Sequence, residues 1–179
     1  FSINAKAQCN YTLDSHEHID CYEGNDGEIR ITILDINADF WWTGPNGFNS
    51  TSDNLSSLIA GDYALHITTT LPDTCVDTIV IYQTLPITAN FILSTMCNED
   101  DSTDVFTTIW GGTPPYTTLW NTGDTARSTD SLAPRILPYE IEITDVNGCI
   151  NTESLFIGTV TAINPFISSI GVICKDDNT

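Results

Sequence analysis

Six cysteines and three histidines are the residues of this chain whose types suggest redox or metal chemistry. No two cysteines stand in a CxxC spacing, which argues against a zinc knuckle or a thioredoxin-like site. Six cysteines without such a pair favour disulfides, and disulfides persist in oxidising compartments. We therefore expect the chain to be extracellular or displayed at the cell surface.

Two of the histidines, His16 and His18, are two residues apart, so on a strand they share one face and could approach one metal ion. The third, His66, lies in a different predicted strand, and no further ligand cluster accompanies the pair. Exposed strand positions are the favoured interpretation of both. Because no Ser-His-Asp or Cys-His arrangement is evident, the sequence predicts no catalytic residues, no enzyme activity and no cofactor.

Two acidic turns, "EGNDGE" at 23–28 and "NEDDSTD" at 98–104, offer the carboxylate oxygens that Ca²⁺ prefers. The weak candidate ligands are Asp26, Glu28, Asp100 and Asp101. Their spacing is not that of an EF-hand loop. Solvated turns are therefore the favoured interpretation, and a calcium site is the alternative.

The charge of the chain is strongly one-sided, with 24 acidic residues against 5 basic ones and a formal net charge of -19. Binding to nucleic acid depends on Lys and Arg displacing counterions from phosphates, so nucleic acid is not an expected partner. Attraction to anionic lipid also needs clustered basic residues. No run approaches the roughly 18 apolar residues of a membrane helix, so we expect no direct membrane insertion.

The chain repeats with a period close to 76 residues. Cys21, Cys97 and Cys174 are separated by 76 and 77 residues. The same period relates two further pairs, Trp42 with Trp120 and Tyr63 with Tyr139. Residues 1–5 are accordingly interpreted as the end of a preceding repeat, 6–85 and 86–160 as two full repeats, and 161–179 as the start of a third.

Each repeat has the pattern of an all-β domain. Runs such as "YALHIT" (63–68) and "YEIEIT" (139–144) alternate apolar and polar residues, as half-buried strands do. Turn sequences such as "GPNG" and "DVNG" separate these runs, and no amphipathic helix is evident. About seven short strands per repeat predict tandem immunoglobulin-like β-sandwiches.

Two adjacent tryptophans mark the first repeat. Neighbouring residues of a strand point to opposite faces, so Trp41 and Trp42 cannot both be in the core. Trp42 aligns with Trp120, and these two with Tyr63 and Tyr139 are the predicted core residues. Trp41 then points away from the core, where it either contacts a ligand such as a sugar ring or is covered by a neighbouring loop.

Each repeat resembles the SprB-type repeat, a module of giant surface adhesins of gliding and filamentous Bacteroidota. The second repeat carries the specific motifs "GGTPPYTTLWNTG" (111–123) and "YEIEITDVNGC" (139–149), and the first carries "CYEGNDGEI" (21–29) and "LIAGDY" (58–63). The chain departs from the pattern at "NADFW" (37–41) and "RILP" (135–138). The resemblance implies type IX secretion, a place in gliding, adhesion or appendage building, and no catalytic activity.

The positions of the cysteines within the repeats suggest a pairing. Cys21 and Cys97 follow the first strand of a repeat, whereas Cys75 and Cys149 open the last strand. Those two edges can lie side by side in an immunoglobulin-like sandwich, so we predict the disulfides Cys21–Cys75 and Cys97–Cys149. Cys174 should pair with a cysteine outside this chain. Cys9 has no counterpart, and a free thiol and a bridge between repeats are both open.

Three triplets, beginning at Asp77, Asp124 and Asp130, resemble the O-glycosylation acceptor pattern of secreted Bacteroidota proteins, with Thr78, Thr125 and Ser131 as acceptors. Taken together, these observations predict spacer repeats of a long surface adhesin or extracellular filament. Their expected partners are neighbouring repeats of the same chain and identical chains in a filament. The alternative is a module that binds surface polysaccharide through exposed aromatic residues such as Trp41.

Overall fold

The computed structural model describes residues 9–68, 74–94 and 102–158. Within these ranges the chain forms thirteen β-strands and one short 3₁₀ turn, Pro45–Gly47, with no α-helix. The all-β prediction is confirmed. Nowhere in the described ranges does a helix have the length and apolar character needed to cross a bilayer. The chain divides into two compact units between Pro86 and Ile87, and each is described by itself.

Unit 1 is a sandwich of two antiparallel sheets. Its strands are β1 (Tyr11–Glu17), β2 (Gly27–Ile33), β3 (Asp39–Thr43), β4 (Asn49–Ser50), β5 (Asn54–Leu58), β6 (Gly61–Thr68) and β7 (Thr74–Ile81). One sheet has the order β1-β2-β5 and the other the order β4-β3-β6-β7. These are the A-B-E and C-F-G orders of an immunoglobulin sandwich, with the two-residue β4 added beside β3.

Alternation of apolar and polar residues places the core of unit 1 between its two sheets. Along β6, Tyr63, Leu65 and Ile67 are buried while the residues between them face outward. Along β2, Ile29 and Ile31 face inward from the opposite sheet. This period of two is the property of a pleated strand with one face on the core, so the local pattern and the packing agree.

Within its described residues, unit 2 has the same strand order without a counterpart of β4. Its strands are β8 (Thr88–Leu93), β9 (Thr103–Trp110), β10 (Thr117–Trp120), β11 (Thr129–Leu132), β12 (Tyr139–Thr144) and β13 (Ile150–Leu155). The sheets have the orders β11-β9-β8 and β10-β12-β13. The immunoglobulin-like topology predicted from the sequence is therefore present in both units.

One buried tryptophan anchors each core by the same hydrogen bond. Trp42 and Trp120 are 0% and 1% exposed. The Trp42 Nε1–H donates to the carbonyl oxygen of Ser52 at 3.1 Å, and the Trp120 Nε1–H donates to that of Ala126 at 2.9 Å. Each indole thus buries a large apolar surface and pairs its single donor with the segment leading to the next strand of the opposite sheet.

One buried tyrosine plays a matching part in each unit. The Tyr63 hydroxyl donates to the carbonyl oxygen of Ile59 at 3.0 Å, and the Tyr139 hydroxyl donates to that of Ala133 at 2.9 Å. Both bonds run back to the turn that precedes the tyrosine, as in the tyrosine corner of immunoglobulin domains. Burial raises the pKa of Tyr63, and the bond to Ile59 opposes that shift in part.

The "RILP" segment, at which the second repeat departs from the SprB-type pattern that it resembles, is held by Arg135. Its guanidinium carbon lies 3.5 Å from the centre of the Tyr139 ring. The Arg135 Nη2 donates to the Pro138 carbonyl oxygen at 2.6 Å and to the Asn121 side chain at 2.9 Å. Stacking and hydrogen bonds from one arginine therefore hold this segment against the Tyr139 ring.

Candidate functional site

The disulfide of unit 1 joins Cys9 to Cys75, with the two Cα atoms 5.5 Å apart. The predicted pairing of Cys75 with Cys21 is therefore wrong. Cys9, which sequence reasoning left without a role, precedes the first strand β1, and Cys75 lies at the start of the last strand β7. The bond thus ties the first strand of the sandwich to the last one.

The physical reason for the correction is the direction of the two strands. Cys9 is level with Cys75, the Tyr11 hydroxyl contacts Asp77, and Ile19 forms a parallel bridge with Gln83. The two segments, 9–19 and 75–83, thus run in the same direction. Cys21 lies at the Gln83 end, eight residues and roughly 26 Å along the strand from Cys75, too far for a disulfide.

Cys21 and Cys149 are also disulfide-bonded. Cys97 and Cys174 lie outside the described residues, so the predicted Cys97–Cys149 pair is not described. Cys149 immediately precedes the last strand of unit 2, two residues before the position that corresponds in register to Cys75 of unit 1. Its backbone N–H donates to the Asp145 carboxylate at 2.9 Å.

Hydrogen bonds extend the junction of β1 and β7 along the strands. Near the disulfide, the Tyr11 hydroxyl donates to Asp77 Oδ2 at 3.0 Å. Burial, this hydrogen bond and the negative charge of Asp77 together raise the pKa of Tyr11 to about 12. The phenol therefore stays protonated and able to donate across the ordinary pH range.

The far end of the same junction is held by three hydrogen bonds. The Ile19 N–H donates to the Tyr82 carbonyl oxygen at 2.9 Å, and the Glu23 N–H donates to Gln83 Oε1 at 2.9 Å. The Thr84 hydroxyl donates to the Asp20 carbonyl oxygen at 3.1 Å. The first and last segments of unit 1 are thus joined covalently at one end and by hydrogen bonds at the other.

In unit 2, the two segments that resemble the SprB-type pattern meet at Asp145. This buried carboxylate accepts the N–H of Thr113 at 2.8 Å and those of Asn147 and Cys149 at 2.9 Å each. Gly112, at φ +59, packs so closely that an added Cβ would lie 2.9 Å from Asp145 Oδ2. The "GGTPPY" and "TDVNGC" segments therefore form one structural unit, which explains why glycine and aspartate occupy those places.

Trp41, the candidate ligand contact, faces outward and stacks on His66 of the neighbouring strand. The ring centres are 4.8 Å apart and the planes differ by 2°. His66 Nε2 lies 3.0 Å from the Thr43 hydroxyl. One face of the indole is thus covered by an imidazole from the same sheet, whereas the prediction considered a neighbouring loop as the cover.

The candidate metal ligands are spread over separate contacts. Glu28 forms an ion pair with Arg30 at 3.0 Å, and Asp26 accepts the Asp20 N–H at 3.4 Å. His16 and His18 lie with ring centres 4.9 Å apart. Asp100 and Asp101 fall outside the described residues. Within the ranges that the structure describes, no three His, Cys, Asp or Glu side chains converge on one point.

The three candidate glycosylation acceptors, Thr78, Thr125 and Ser131, are all exposed. Thr78 lies on the outward face of β7. Ser131 has a positive φ of 57°, and its N–H donates to Asp104 at 3.1 Å.

No family model and no curated protein matches the chain. Among solved structures, it aligns with a C-terminal intimin fragment in complex with the intimin-binding domain of its translocated receptor, at 11% identity and a TM-score of 0.40, over 83% of this chain and 62% of that one. It also aligns with domains IG1 and IG2 of DIP-gamma, at 11% identity and a TM-score of 0.42, over 83% of this chain and 97% of that one. The alignment with Dpr11 IG1 bound to DIP-gamma has 13% identity and a TM-score of 0.34, over 83% and 98%. The chain thus spans under two thirds of the intimin fragment.

Sequence identities and TM-scores as low as these show neither a family nor a function for this chain. The immunoglobulin-like fold instead follows from the order of the strands in the two sheets.

Proposed function

We propose that the two units are spacer domains of a long extracellular adhesin or filament, which hold a more distal part of the protein away from the cell surface and transmit tension to it. The observation that carries this proposal is the Cys9–Cys75 disulfide between the first and last strands of unit 1. A chain under tension is loaded through the segments that enter and leave a domain, and these are the segments that the disulfide joins.

The covalent bond gives tension a short path across the unit. The two cysteines are 66 residues apart in sequence but only 5.5 Å apart between Cα atoms. Tension that enters before Cys9 and leaves after Cys75 passes through the sulfur atoms, so the strands enclosed between them are not stretched. A spacer needs this property because a domain that unravels lengthens the tether.

The finer assignment rests on the resemblance to SprB-type repeats. On that basis we propose secretion by the type IX system of a Bacteroidota cell, a place in gliding, prey capture or surface attachment, and packing against neighbouring repeats or identical chains. The units have no enzymatic role and need no cofactor. Calcium is dispensable under this proposal, so a chelator should leave the melting temperature within about 8 °C of its value in calcium.

The test is replacement of the units in the protein that carries them. Deleting both units should reduce attachment of cells to surfaces, and inserting an unrelated pair of immunoglobulin sandwiches of equal length should restore it. A single foreign sandwich, which is half as long, should restore it less. If the full-length foreign pair fails to restore attachment, specific surface residues are required and the spacer role is wrong.

A second candidate is glycan binding by Trp41, and the outward position of its indole is the observation that favours it. The free face of the ring could stack on a sugar, with His66 supporting the other face. Trp41→Ala in the intact protein separates the two functions. A spacer keeps its attachment to surfaces, whereas a Trp41 binding site loses its glycan with the fold unchanged.

A further inference from the structure

The outer face of β8 and β9 in unit 2 has one charged residue, Asp104 at the start of β9, which is half-buried and accepts the Ser131 N–H at 3.1 Å. Six residues point outward there and are exposed: Thr88, Asn90, Ile92, Phe106, Thr108 and Trp110. The alternate residues of β9, which include Val105 and Ile109, are buried. Because successive residues of a strand point to opposite faces, Phe106, Thr108 and Trp110 must point outward. Beyond Asp104 this face has no charged residue, and in a chain with 24 acidic residues that raises the question of what the face contacts.

The register arranges these six side chains in three rows. Thr88 lies opposite Trp110, Asn90 opposite Thr108, and Ile92 opposite Phe106. The apolar members are largely exposed: Trp110 65%, Ile92 63% and Phe106 55%. Each end row thus presents an aromatic ring to solvent, and the middle row presents an amide and a hydroxyl.

The corresponding face of unit 1 has Glu28 at the position of Asp104, and it differs in having Arg30 at the position of Phe106. The outward residues of β2 there are Glu28, Arg30 and Thr32, and the first two form an ion pair at 3.0 Å. The fold therefore does not require an apolar face at this place. Contiguous exposed apolar surface that the fold does not require is a common mark of a binding surface.

We propose that this face of unit 2, called here the aromatic face (Asn90, Ile92, Phe106, Thr108 and Trp110), binds a neutral polysaccharide. Phe106 and Trp110 are four residues apart on one face of β9, about 13 Å, so the two rings can stack on different sugar rings of one glycan chain. A pyranose has an apolar C–H face that matches an aromatic ring and a hydroxyl edge that needs hydrogen-bond partners.

The middle row supplies those partners. The Asn90 amide makes no hydrogen bond to another described residue, and it is exposed. The Thr108 hydroxyl donates only a long bond, 3.4 Å, to the Asn90 carbonyl oxygen, and its lone pairs remain available. An amide and a hydroxyl between two rings can therefore pair with sugar hydroxyls while the rings cover the apolar faces.

Charge and size favour a neutral glycan over other occupants. With a net charge of -19, the chain repels acidic polymers and a second copy of itself over about a Debye length, which is roughly 8 Å at physiological salt. A neutral polymer meets no such repulsion. A stable protein interface also takes about 20–30 residues a side, far more than this face offers.

The experiment uses the whole chain, incubated with microcrystalline cellulose and with a chitin suspension and then sedimented. We expect binding to at least one of them, weakened at least 10-fold by Trp110→Ala and by Phe106→Ala. Trp110→Phe should retain most of the binding because it keeps a ring. The matched control is Phe156→Ala, which removes an aromatic residue 63% exposed outside the aromatic face and should bind like the wild type. Circular dichroism establishes that each variant is folded.

Several results would overturn the proposal. These are no binding to either polysaccharide, equal loss in Phe156→Ala and Trp110→Ala, and undiminished binding in a Phe106→Ala, Trp110→Ala double variant. Sedimentation velocity that shows a dimer dissolved by Trp110→Ala would assign the face to a second copy instead. Polysaccharide binding by the aromatic face is a property beyond the spacer role. If the whole chain binds neither polysaccharide, the expected restoration of attachment by the foreign pair of sandwiches is unchanged.

Discussion

The Tyr11 hydroxyl donates to Asp77 Oδ2 at 3.0 Å, two residues beyond the disulfide on each of the two strands. Burial, the hydrogen bond and the Asp77 charge raise the pKa of Tyr11 from 10.0 to about 12. Because the folded state favours the protonated phenol, the stability it contributes is complete below pH 10. It is lost as the pH rises from 10 to about 12.

Tyr11→Phe is the first test of this relationship. We expect ultraviolet titration of the wild type to show one tyrosine ionising near pH 12, and we expect that transition to be missing in Tyr11→Phe. Asp77→Asn keeps the tyrosine but removes the negative charge, so the transition should move toward pH 10. If Tyr11 titrates near pH 10 in the wild type, the hydrogen bond does not persist in solution.

The Cys9–Cys75 bond should limit how far unit 1 extends under force. The Cys9→Ser, Cys75→Ser double variant removes a cross-link that spans 66 residues of sequence, which allows up to about 220 Å of additional extended chain. Single-molecule pulling of the wild type and the variant measures this difference directly. Unit 2 keeps its own cysteines in both proteins and is the internal control. Equal extension of the two proteins would show that tension does not pass through this bond.

Truncation of either core tryptophan should unfold its own unit. Trp42→Ala and Trp120→Ala should each reduce the free energy of unfolding by about 3–5 kcal/mol, because a large buried ring is replaced by a cavity. Calorimetry should show the transition of one unit lowered and that of the other unchanged. Trp41→Ala is the matched control. It loses the stacking on His66, about 0.5–1.5 kcal/mol, but leaves no cavity in the core. A Trp41→Ala loss as large as that of Trp42→Ala would contradict this assignment of faces.

Asp145 should be the most sensitive polar residue of unit 2. Asp145→Ala removes the acceptor of three backbone N–H groups, from Thr113, Asn147 and Cys149. We expect a loss of about 3 kcal/mol in urea denaturation, because hydrogen bonds to a charged acceptor contribute more than neutral ones. Asp145→Asn keeps one acceptor oxygen and should lose less. A change below about 1 kcal/mol for the alanine variant would mean that other acceptors replace the carboxylate.

The strands and the core residues could be predicted from the sequence because both depend on local alternation. A strand exposes successive residues on opposite faces, so the order of apolar and polar residues around Tyr63 and Tyr139 already indicates which side is buried. The same rule separates Trp42 from Trp41. Trp42 and Trp120 are related by the repeat period, so the sequence identifies them as the same core position in the two units. This inference does not require knowing how the sheets pack.

The disulfide partner of Cys75 was decided only by the tertiary structure. Cys9 and Cys21 flank the same strand, and nothing in their spacing says which of them lies beside the start of β7. That choice depends on β1 and β7 advancing in the same direction, which brings Cys9 level with Cys75 and carries Cys21 to the far end. The stacking of Trp41 on His66 and the rows of the aromatic face likewise depend on register between strands. Alternation along one strand is local, whereas direction and register join residues far apart in sequence and are settled when the sheets form.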